Sequence, residues 1–336
     1  MELSQARSAL IVKPSSLGDV VHALPVLPLL RAAFPEMTLR WLVNPEWAPL
    51  LEGHPHLDAV VDFPRGRFRG VRGLVRFVRW GKQVRDAECE VPEFALDFQG
   101  LFRSGFIPRI RGCAEVVGFR DAREGASTLY TKAVAPPEGI VHAVDRNLAL
   151  LDRCGIAIPE TPEFILPKGS APDKALPSRF VLLHPFARGT GKALQPKQIT
   201  RLIELLAPAK VVLVGRSDEP VDLNGEADRV VDLVNRTTLP ELAWVCRRAA
   251  AIISMDSGPM HIAAAVAGNR VLGIHTWTDT RKVGPYHPQA VVWKAGRIAG
   301  RDDFSEEELA SGKLPKDHDL ENIAAWARSK LDEYLD

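Results

Sequence analysis

The sequence predicts an α/β fold with two doubly wound, Rossmann-like domains that face a central cleft. The chain has 336 residues, and two hydrophobic cores are expected because one core rarely serves more than about 250–300 residues. In both halves, short runs of valine, isoleucine and leucine alternate with longer amphipathic patterns, which is typical of βα units and a mostly parallel sheet. A proline-rich stretch over 158–177 interrupts this alternation and is the predicted linker.

The apolar runs and amphipathic patterns locate the individual elements. In the N-terminal half the predicted strands are 8–12, 38–43, 59–61 and 94–96, and the predicted helices are 20–33, 71–84 and 144–153. In the C-terminal half the predicted strands are 180–183, 211–214, 251–253 and 271–274. The expected domains are 1–160 and 175–336. An amphipathic terminal helix over 320–335 could pack back on the N-terminal domain.

The composition excludes several classes of protein. With 43 basic and 42 acidic residues the net charge is +1, so no global field attracts nucleic acid. The four cysteines lie far apart without a CxxC pair, which favours reduced structural thiols over a metal site. No signal peptide is evident, and no run approaches the roughly 20 apolar residues of a membrane span. We therefore expect a cytoplasmic protein whose membrane contact, if any, is peripheral.

A polar loop of small residues follows the first strand and leads into an apolar helix. It contains Ser15, Ser16, Gly18 and Asp19. Ligands of open α/β sheets bind beyond the carboxyl ends of strands, where a helix N-terminus also offers backbone N–H groups. Asp19 can present a carboxylate there, but its place before an apolar helix is equally explained by an N-cap. The loop has no Walker A or GxGxxG sequence, which argues against kinases and dehydrogenases.

A second polar turn, 255–261, follows the strand predicted at 251–253 and opens another apolar helix. Ser257 and Gly258 would offer N–H groups at a positive helix end, where a diphosphate is held with few side-chain charges. Asp256 would bond the turn, a ribose or a sugar hydroxyl. The alternatives are helix capping by Asp256 or Ser257 and an internal hydrogen bond for His261.

The loop 184–192 lies beyond another predicted strand of the same half. It combines glycines with the cations Arg188 and Lys192, as a phosphate site requires. Lys192 is a compact charge that can stabilise a departing diphosphate, although a solvated loop lysine explains it as well.

A stretch of eight basic residues without an acidic one occupies 65–85. The set is Arg65, Arg67, Arg69, Arg72, Arg76, Arg79, Lys82 and Arg85. Helical spacing predicts a basic ridge, defined here by Arg72, Arg76 and Arg79, opposite an apolar face at Val71, Leu74, Val75 and Val78. A solvated surface is the alternative, but such surfaces usually mix both signs. The basic ridge therefore indicates an anionic partner, and phosphorylated lipid headgroups are favoured over nucleic acid.

Together these motifs resemble the ADP-heptose:lipopolysaccharide heptosyltransferases. Residues 11–26, IVKPSSLGDVVHALPV, are similar to the family's first strand and loop. Residues 97–104, DFQGLFRS, are similar to its Asp-x-Gln-Gly-Leu-x-Lys-Ser segment. His184 and Pro185 with Lys192, followed by 255–261, MDSGPMH, resemble its donor-domain signatures. The resemblance covers nearly the whole chain and is nearest to the heptosyltransferase I subgroup.

The resemblance implies a GT-B fold with an N-terminal acceptor domain and a C-terminal nucleotide-sugar domain. It implies inverting, metal-independent transfer of heptose from ADP-heptose to the Kdo–lipid A inner core at the cytoplasmic face of the inner membrane, with no cofactor. Asp19 would deprotonate the acceptor hydroxyl and Lys192 would bind the departing diphosphate. The other implied donor residues are Asp256, Ser257, Gly258, His261, Glu219 and Arg188. The implied acceptor residues are Ser15, Ser16, Gly18, Arg72, Arg76, Arg79, Gln99 and Arg103.

The chain departs from the family pattern on the predicted donor side. Residues 276–280 are TWTDT where the family has a Gly-Pro-Thr-Asp-Pro-like turn, and Lys192 is followed by Ala193 and Leu194 instead of a tryptophan two positions on. Two alternatives therefore stay open. One is a GT-B transferase that uses another nucleotide sugar or a protein acceptor. The other is a noncatalytic module that binds a nucleotide sugar or an anionic lipid.

Overall fold

The computed structural model describes residues 3–68, 70–87, 91–189 and 191–334. Arg69, Cys89, Thr190 and Leu335, which the sequence analysis names or includes, lie outside these ranges. The chain divides into two compact units, with the boundary between Pro167 and Lys168. This boundary falls in the stretch 158–177, which contains neither helix nor strand.

The N-terminal unit is built on a six-stranded parallel sheet. Its strands are β1 Ser8–Val12, β2 Thr38–Val43, β3 Ala59–Asp62, β4 Phe94–Asp97, β5 Glu115–Phe119 and β6 Lys132–Val134. They lie in the order β3-β2-β1-β4-β5-β6, and every neighbouring pair is parallel. The direction of winding reverses between β1 and β4, and such a reversal opens a crevice for ligands beyond the carboxyl ends of these strands.

The described part of the unit has five α-helices, of which the first four lie between strands and the fifth follows β6. They are α1 Leu17–Ala23, α2 Val26–Ala33, α3 Val71–Ala87, α4 Phe102–Arg111 and α5 Ala143–Asp152. The prediction of one helix over 20–33 is wrong, because Pro25 lacks the N–H of a continuous helix and takes the N-cap position of α2. The sequence patterns do not predict α4, which has Gly105 and Pro108 in its interior, or the short strands β5 and β6.

The buried side of α3 is largely aromatic. Phe77 is buried and Trp80 half-buried, and both pack against Phe63 and Phe68. The apolar face predicted for this helix is therefore wrong at Val75, which is 63% exposed, because the aromatic side chains set which face docks. Val78 is half-buried as predicted, and the side chains of Val71, Leu74 and Arg85 are outside the described part of the structure.

The C-terminal unit repeats the same winding in a seven-stranded sheet. Its strands are β7 Val181–His184, β8 Val211–Gly215, β9 Val230–Val234, β10 Ala251–Met255, β11 Val271–Ile274, β12 Val291–Lys294 and β13 Arg297–Ala299. The order is β13-β12-β11-β10-β7-β8-β9, with only β13 antiparallel to its neighbour. The winding reverses between β7 and β10, so the second crevice lies beyond their carboxyl ends. The predicted α/β class is confirmed in both units.

The helices of the C-terminal unit cover both faces of its sheet. They are α6 Pro196–Leu205, α7 Leu239–Arg248, α8 Gly258–Ala267, α9 Thr280–Val283, α10 Glu306–Ala310 and α11 Asp317–Glu333. That the terminal helix packs back on the N-terminal domain stays a prediction. The apolar face of α11, including Ile323 and Ala327, is buried in the core of its own unit, because this stripe covers the sheet face beside α6.

Candidate active site

A cavity of about 310 Å³ lies in the N-terminal unit, beyond the carboxyl ends of β1 and β4. Loops that follow β1, β4 and β5 line it together with the start of α5. Its polar lining includes Lys13, Asp19, Asp97, Gln99, Arg123 and Arg146. The position is the crevice where a doubly wound sheet binds its ligand.

Asp19 enters this cavity from the first turn of α1. Ser16 is the N-cap of the helix and Asp19 is its third residue, so the alternative prediction of Asp19 as the N-cap is wrong. The Ser16 backbone N–H donates to Asp19 Oδ2 at 2.8 Å and the Ser16 hydroxyl donates to the same oxygen at 2.7 Å. Within the described chain, Oδ1 therefore has no protein donor and is open to a ligand. Gly18 is buried in the same turn.

Lys13 and Gln99 tie the loop after β1 to the loop after β4. Lys13 is buried, and its Nζ donates to the Phe98 carbonyl at 2.7 Å. Burial lowers the pKa of Lys13 below its ordinary value. The negative charges of Asp19 and Asp97 act in the opposite direction but are outweighed. The Gln99 Oε1 accepts a 3.3 Å hydrogen bond from the Ser15 backbone N–H. The two loops thus hold each other in place at the cavity.

Asp97, the last residue of β4, fixes the loop that carries Gln99. Its Oδ2 accepts hydrogen bonds from the Tyr130 hydroxyl at 2.7 Å and the Ser104 hydroxyl at 2.9 Å. Its Oδ1 accepts from the N–H groups of Gln99 and Gly100 at 2.9 and 3.1 Å. Burial raises the pKa of Asp97, and these four hydrogen bonds act in the opposite direction. A carboxylate that is buried but fully bonded gives the loop one conformation.

The cavity is also lined by charged residues that were not among the predicted site residues, including Lys13, Asp97, Arg123 and Arg146. Lys13 directly follows the buried strand β1 and Asp97 is the last residue of the buried strand β4, and a charge at such a position was the signal available in the sequence. Arg123 and Arg146 carried no such signal, because they come from the segment after β5 and from α5. Arg146 donates to Asp121 at 2.7 Å and lies 4.6 Å over the Phe119 ring.

Other residues predicted to bind the acceptor do not line the cavity. Arg72, Arg76 and Arg79 are exposed on α3, and Arg103 is exposed in the first turn of α4. The structure therefore separates a cavity group around Asp19 from a surface group on the basic ridge.

In the C-terminal unit, His184 connects the ends of β7 and β10. Its Nδ1 lies 3.2 Å from the Ser254 hydroxyl and 3.4 Å from the Ser257 hydroxyl. Both hydroxyls donate to the Met255 carbonyl, so Nδ1 is assigned the hydrogen. Burial lowers the pKa of His184 to about 4, which keeps the ring neutral. This bonding places Ser257 at the N-cap of α8.

Asp256 is held by a chain of side-chain hydrogen bonds. The Thr278 hydroxyl donates to Asp256 Oδ2 at 2.7 Å, and the Nδ1 of the buried His275 lies 2.9 Å from the same hydroxyl. Burial by itself raises the pKa of Asp256. The charges of His275 and His261, the Thr278 hydrogen bond and the Lys192 charge together lower it below its ordinary value. Asp256 is therefore an anion at neutral pH.

The remaining predicted donor residues differ in how close they lie to Asp256. Gly258 begins α8 and His261 is buried in it, while the half-buried Lys192 acts on Asp256 through its charge. Arg188 and Glu219 are exposed. Glu219 follows β8, which is two strands away from β10 in the sheet.

The loop that carries Glu219 is ordered by its neighbours. The Ser217 hydroxyl donates to the Glu219 carbonyl at 2.7 Å, and the Asn235 side-chain amide donates to the Ser217 carbonyl at 2.6 Å.

Across the described residues, no group of three or more His, Cys, Asp or Glu is arranged to hold a metal ion. Cys113, Cys154 and Cys246 are free thiols. Burial raises the pKa of Cys154 to about 11 and that of Cys246 to about 12, so these two stay protonated.

Residues 79–312 match the model of glycosyltransferase family 9 (heptosyltransferase). The chain belongs to this family. It is 26% identical over 309 residues to lipopolysaccharide heptosyltransferase 1 of Escherichia coli K12, an alignment that covers 86% of this chain and 93% of the relative. The prediction that the protein is a glycosyltransferase is confirmed.

Two solved structures share the fold of this family 9 glycosyltransferase. A family 9 glycosyl transferase from Veillonella parvula matches with a TM-score of 0.77 and 14% identity, over 99% of both chains. The E. coli heptosyltransferase WaaC with ADP matches with a TM-score of 0.73 and 22% identity, over 96% of this chain and 99% of the other. The GT-B fold prediction is confirmed.

Replacing Tyr130 with phenylalanine tests the role of the buried Asp97. Burial and the Asp97 charge raise the pKa of Tyr130, so its hydroxyl stays protonated and donates. We expect Tyr130→Phe to lower the free energy of unfolding by about 1–3 kcal/mol, because a buried acceptor loses a donor. Urea unfolding measures this. The control is Tyr334→Phe, whose hydroxyl has no partner in the described chain. Equal stability of the two variants would contradict the role of Asp97.

The neutral His184 predicts a pH-dependent stability. Its pKa is about 4 when folded and about 6.5 when unfolded, so the unfolded state binds more protons between these values. The free energy of unfolding should therefore fall by about 3 kcal/mol as the pH drops from about 6.5 to about 4. His184→Asn should remove this component in urea unfolding at several pH values. The control is His318→Asn, with a 66% exposed side chain. Parallel profiles for wild type and His184→Asn would refute the prediction.

Proposed function

We propose that this family 9 glycosyltransferase transfers heptose from ADP-heptose to the Kdo–lipid A inner core of lipopolysaccharide, with inversion at the anomeric carbon. Family membership and the similarity to lipopolysaccharide heptosyltransferase 1 support the reaction class. The observation that carries the proposal is the Asp19 carboxylate. One of its oxygens is held by Ser16 and the other is open, in a cavity that is also lined by the basic residues Lys13, Arg123 and Arg146.

Asp19 is proposed as the catalytic base. Its Oδ1 would take the proton from an acceptor hydroxyl while that oxygen attacks the anomeric carbon. The two hydrogen bonds from Ser16 to Oδ2 keep the carboxylate in one orientation during this step. A single base is enough, because a diphosphate leaving group needs charge stabilisation and no proton.

The C-terminal unit is proposed to bind the diphosphate at the start of α8. Ser257 is the N-cap of this ten-residue helix, but its side chain makes no capping hydrogen bond. Pro259 has no N–H, and the Met260 N–H donates to the Ser257 carbonyl at 3.0 Å. The Gly258 N–H and the positive end of the helix are available to an anion. Lys192 supplies a further positive charge, and Asp256 accepts hydrogen bonds from hydroxyls of the donor. Because these groups compensate the diphosphate charge, we propose that the transfer needs no metal ion.

The substitution Asp19→Asn separates catalysis from helix capping. The amide oxygen can still accept the bonds from Ser16, but the residue can no longer take a proton. We expect kcat to fall roughly 10²- to 10⁴-fold, with the dissociation constant of ADP-heptose within a few-fold of wild type. The assay measures ADP release with Kdo–lipid A as acceptor, in the presence of EDTA.

A matched control exists at the start of α7. There Thr238 donates its N–H and hydroxyl to Glu241 at 2.7 and 2.9 Å, the same capping arrangement as that of Ser16 and Asp19. Glu241→Gln should leave turnover unchanged. If Asp19→Asn keeps its turnover, Asp19 is not the base. If wild type binds ADP-heptose but shows no turnover, a noncatalytic binding function gains support. If wild type turns over only a donor without heptose, the donor assignment is wrong.

The basic ridge is proposed to contact anionic lipid at the cytoplasmic face of the inner membrane. Arg72, Arg76 and Arg79 are exposed on α3, with the exposed Val75 among them. No helix in the described ranges is long and apolar enough to cross a bilayer. Exposed cations near an anionic membrane surface each contribute about 1 kcal/mol of attraction, so the basic ridge supports peripheral binding.

Changing Arg72, Arg76 and Arg79 together to glutamine tests this contact. We expect the KM for Kdo–lipid A in vesicles to rise roughly ten- to hundredfold and its salt dependence to weaken, with kcat little changed. The control replaces three exposed lysines, Lys132, Lys168 and Lys197, with glutamine and removes the same charge. If KM rises equally in the arginine variant and in the lysine control, the cause is the lower net charge and not the basic ridge. With a delipidated acceptor, a persisting KM rise would mean that the basic ridge binds the sugar phosphates and not the bilayer.

A further inference from the structure

Trp277 is an exposed aromatic residue in the turn after β11. Its side chain is 62% exposed, and it is one of four large apolar residues in the described chain with high exposure, the others being Val75, Phe102 and Ile140. It belongs to the TWTDT turn, where the chain departs from the family pattern. Exposed aromatic surface beside a polar site is typical of a ligand contact.

Hydrogen bonds fix the backbone on both sides of Trp277. The buried Lys294 donates from Nζ to the Thr276 carbonyl at 2.6 Å and to the Ser311 carbonyl at 3.1 Å. On the other side, the Thr278 hydroxyl donates to Asp256 at 2.7 Å. The turn is therefore joined both to the segment at 311 and to the end of β10.

The indole ring lies close to two glycines. A Cβ on Gly312 would lie 2.6 Å from the six-membered ring, so any side chain there would displace the indole. A Cβ on Gly191 would lie 3.5 Å from Nε1, which places the indole beside the residue that precedes Lys192. Trp277 is thus an exposed ring that lies close to Gly312 and beside the residue that precedes Lys192. An aromatic side chain has only two χ angles to fix, so it can contact a ligand at a low entropic cost.

We propose that the exposed face of Trp277 is the platform on which the transferred sugar of the nucleotide-sugar donor stacks. The inference rests on the proposed function, because it takes the diphosphate to lie at the start of α8. The C–H groups of a pyranose face carry small positive charges and apolar surface, which complement the negative face of an indole. Asp256 and Thr278, next to the ring, would accept or donate hydrogen bonds to sugar hydroxyls.

The strand order indicates that the sugar, and not the nucleoside, reaches Trp277. The loop of Glu219 follows β8 and the turn of Trp277 follows β11, on opposite sides of β7 and β10. Neighbouring strands are about 4.8 Å apart, so the two loops are separated by roughly 15 Å along the sheet edge. In a nucleotide sugar, the nucleoside and the sugar are attached to opposite ends of the diphosphate. If the diphosphate lies at the ends of β7 and β10, these two groups extend to opposite sides of it. The resemblance to the heptosyltransferases implies that Glu219 contacts the nucleoside. On that premise, the sugar lies on the side of Trp277.

The test compares the binding of ADP-heptose with that of ADP. With the full chain and no acceptor, calorimetry should show that Trp277→Ala weakens ADP-heptose binding roughly three- to tenfold and leaves ADP binding unchanged. Trp277→Phe should keep most of the affinity. Ile140→Ala, which removes a 51% exposed apolar side chain from the N-terminal unit, is the matched control and should change neither.

A second variant moves the ring without removing it. Gly312→Ala should weaken ADP-heptose binding but not ADP binding, because the added methyl group displaces the indole. The difference in tryptophan fluorescence between wild type and Trp277→Phe is the emission of Trp277. ADP-heptose should quench this emission, and ADP should not. This readout reports on the indole directly, so a general loss of folding would not reproduce it.

Two results would overturn the inference. Equal losses for ADP and ADP-heptose would show that the indole stacks on the nucleoside, and no loss for either would show that it does not contact the donor. Transfer by wild type tests the proposed function separately. If wild type uses a different nucleotide sugar, the same comparison between that donor and its free nucleoside diphosphate decides the role of Trp277.

Discussion

In each unit the chain winds outward from a central strand, returns, and winds outward on the other side. The loops after β1 and β4, and those after β7 and β10, therefore diverge at the carboxyl edge of their sheet. All the candidate chemistry depends on this constraint. Asp19, Lys13 and Asp97 meet at the first reversal, and His184, Ser254 and Ser257 meet at the second. Helices α1 and α8 begin at these reversals, so backbone N–H groups and a positive helix end come with the side chains.

Buried polar groups keep these loops from adopting other conformations. Asp97 collects four hydrogen bonds behind the cavity, His184 joins two serines, and Lys294 bonds two carbonyl groups beside Trp277. Such groups are costly to bury unless they are bonded. Conformations that break these bonds are therefore disfavoured. The bonded groups fix the loops, and the loops in turn position the residues of the candidate sites. This is the condition for a preorganised electrostatic site.

The charges are distributed locally, because the whole chain is nearly neutral. Cations line the cavity beside Asp19, a second set forms the basic ridge on α3, and Lys192 accompanies the start of α8. In the proposed function each set has its own anion: the acid groups of the acceptor sugar, the lipid phosphates and the diphosphate of the donor. Each set can therefore be removed by substitution without changing the other two.

The sequence by itself determined the α/β class, the main strands and the loop of Asp19. It could do so because strand burial and helix amphipathicity are local patterns of neighbouring residues. It also determined the family, through motifs that are each short and contiguous. Pro25 shows the limit at the local level, since it divides a pattern that resembles one helix into α1 and α2.

Only the tertiary structure decided which residues share a site. Lys13, Asp97, Arg123 and Arg146 are distant in sequence and meet because the strand order brings their loops to one edge. The docked face of α3 was decided by packing with Phe63 and Phe68, which precede the helix. For Trp277, the sequence showed an unusual turn, while its exposure depends on Lys294 and Gly312, which belong to later segments. The physical reason is the same each time: these contacts are set by how distant segments pack, and local patterns carry no information about that.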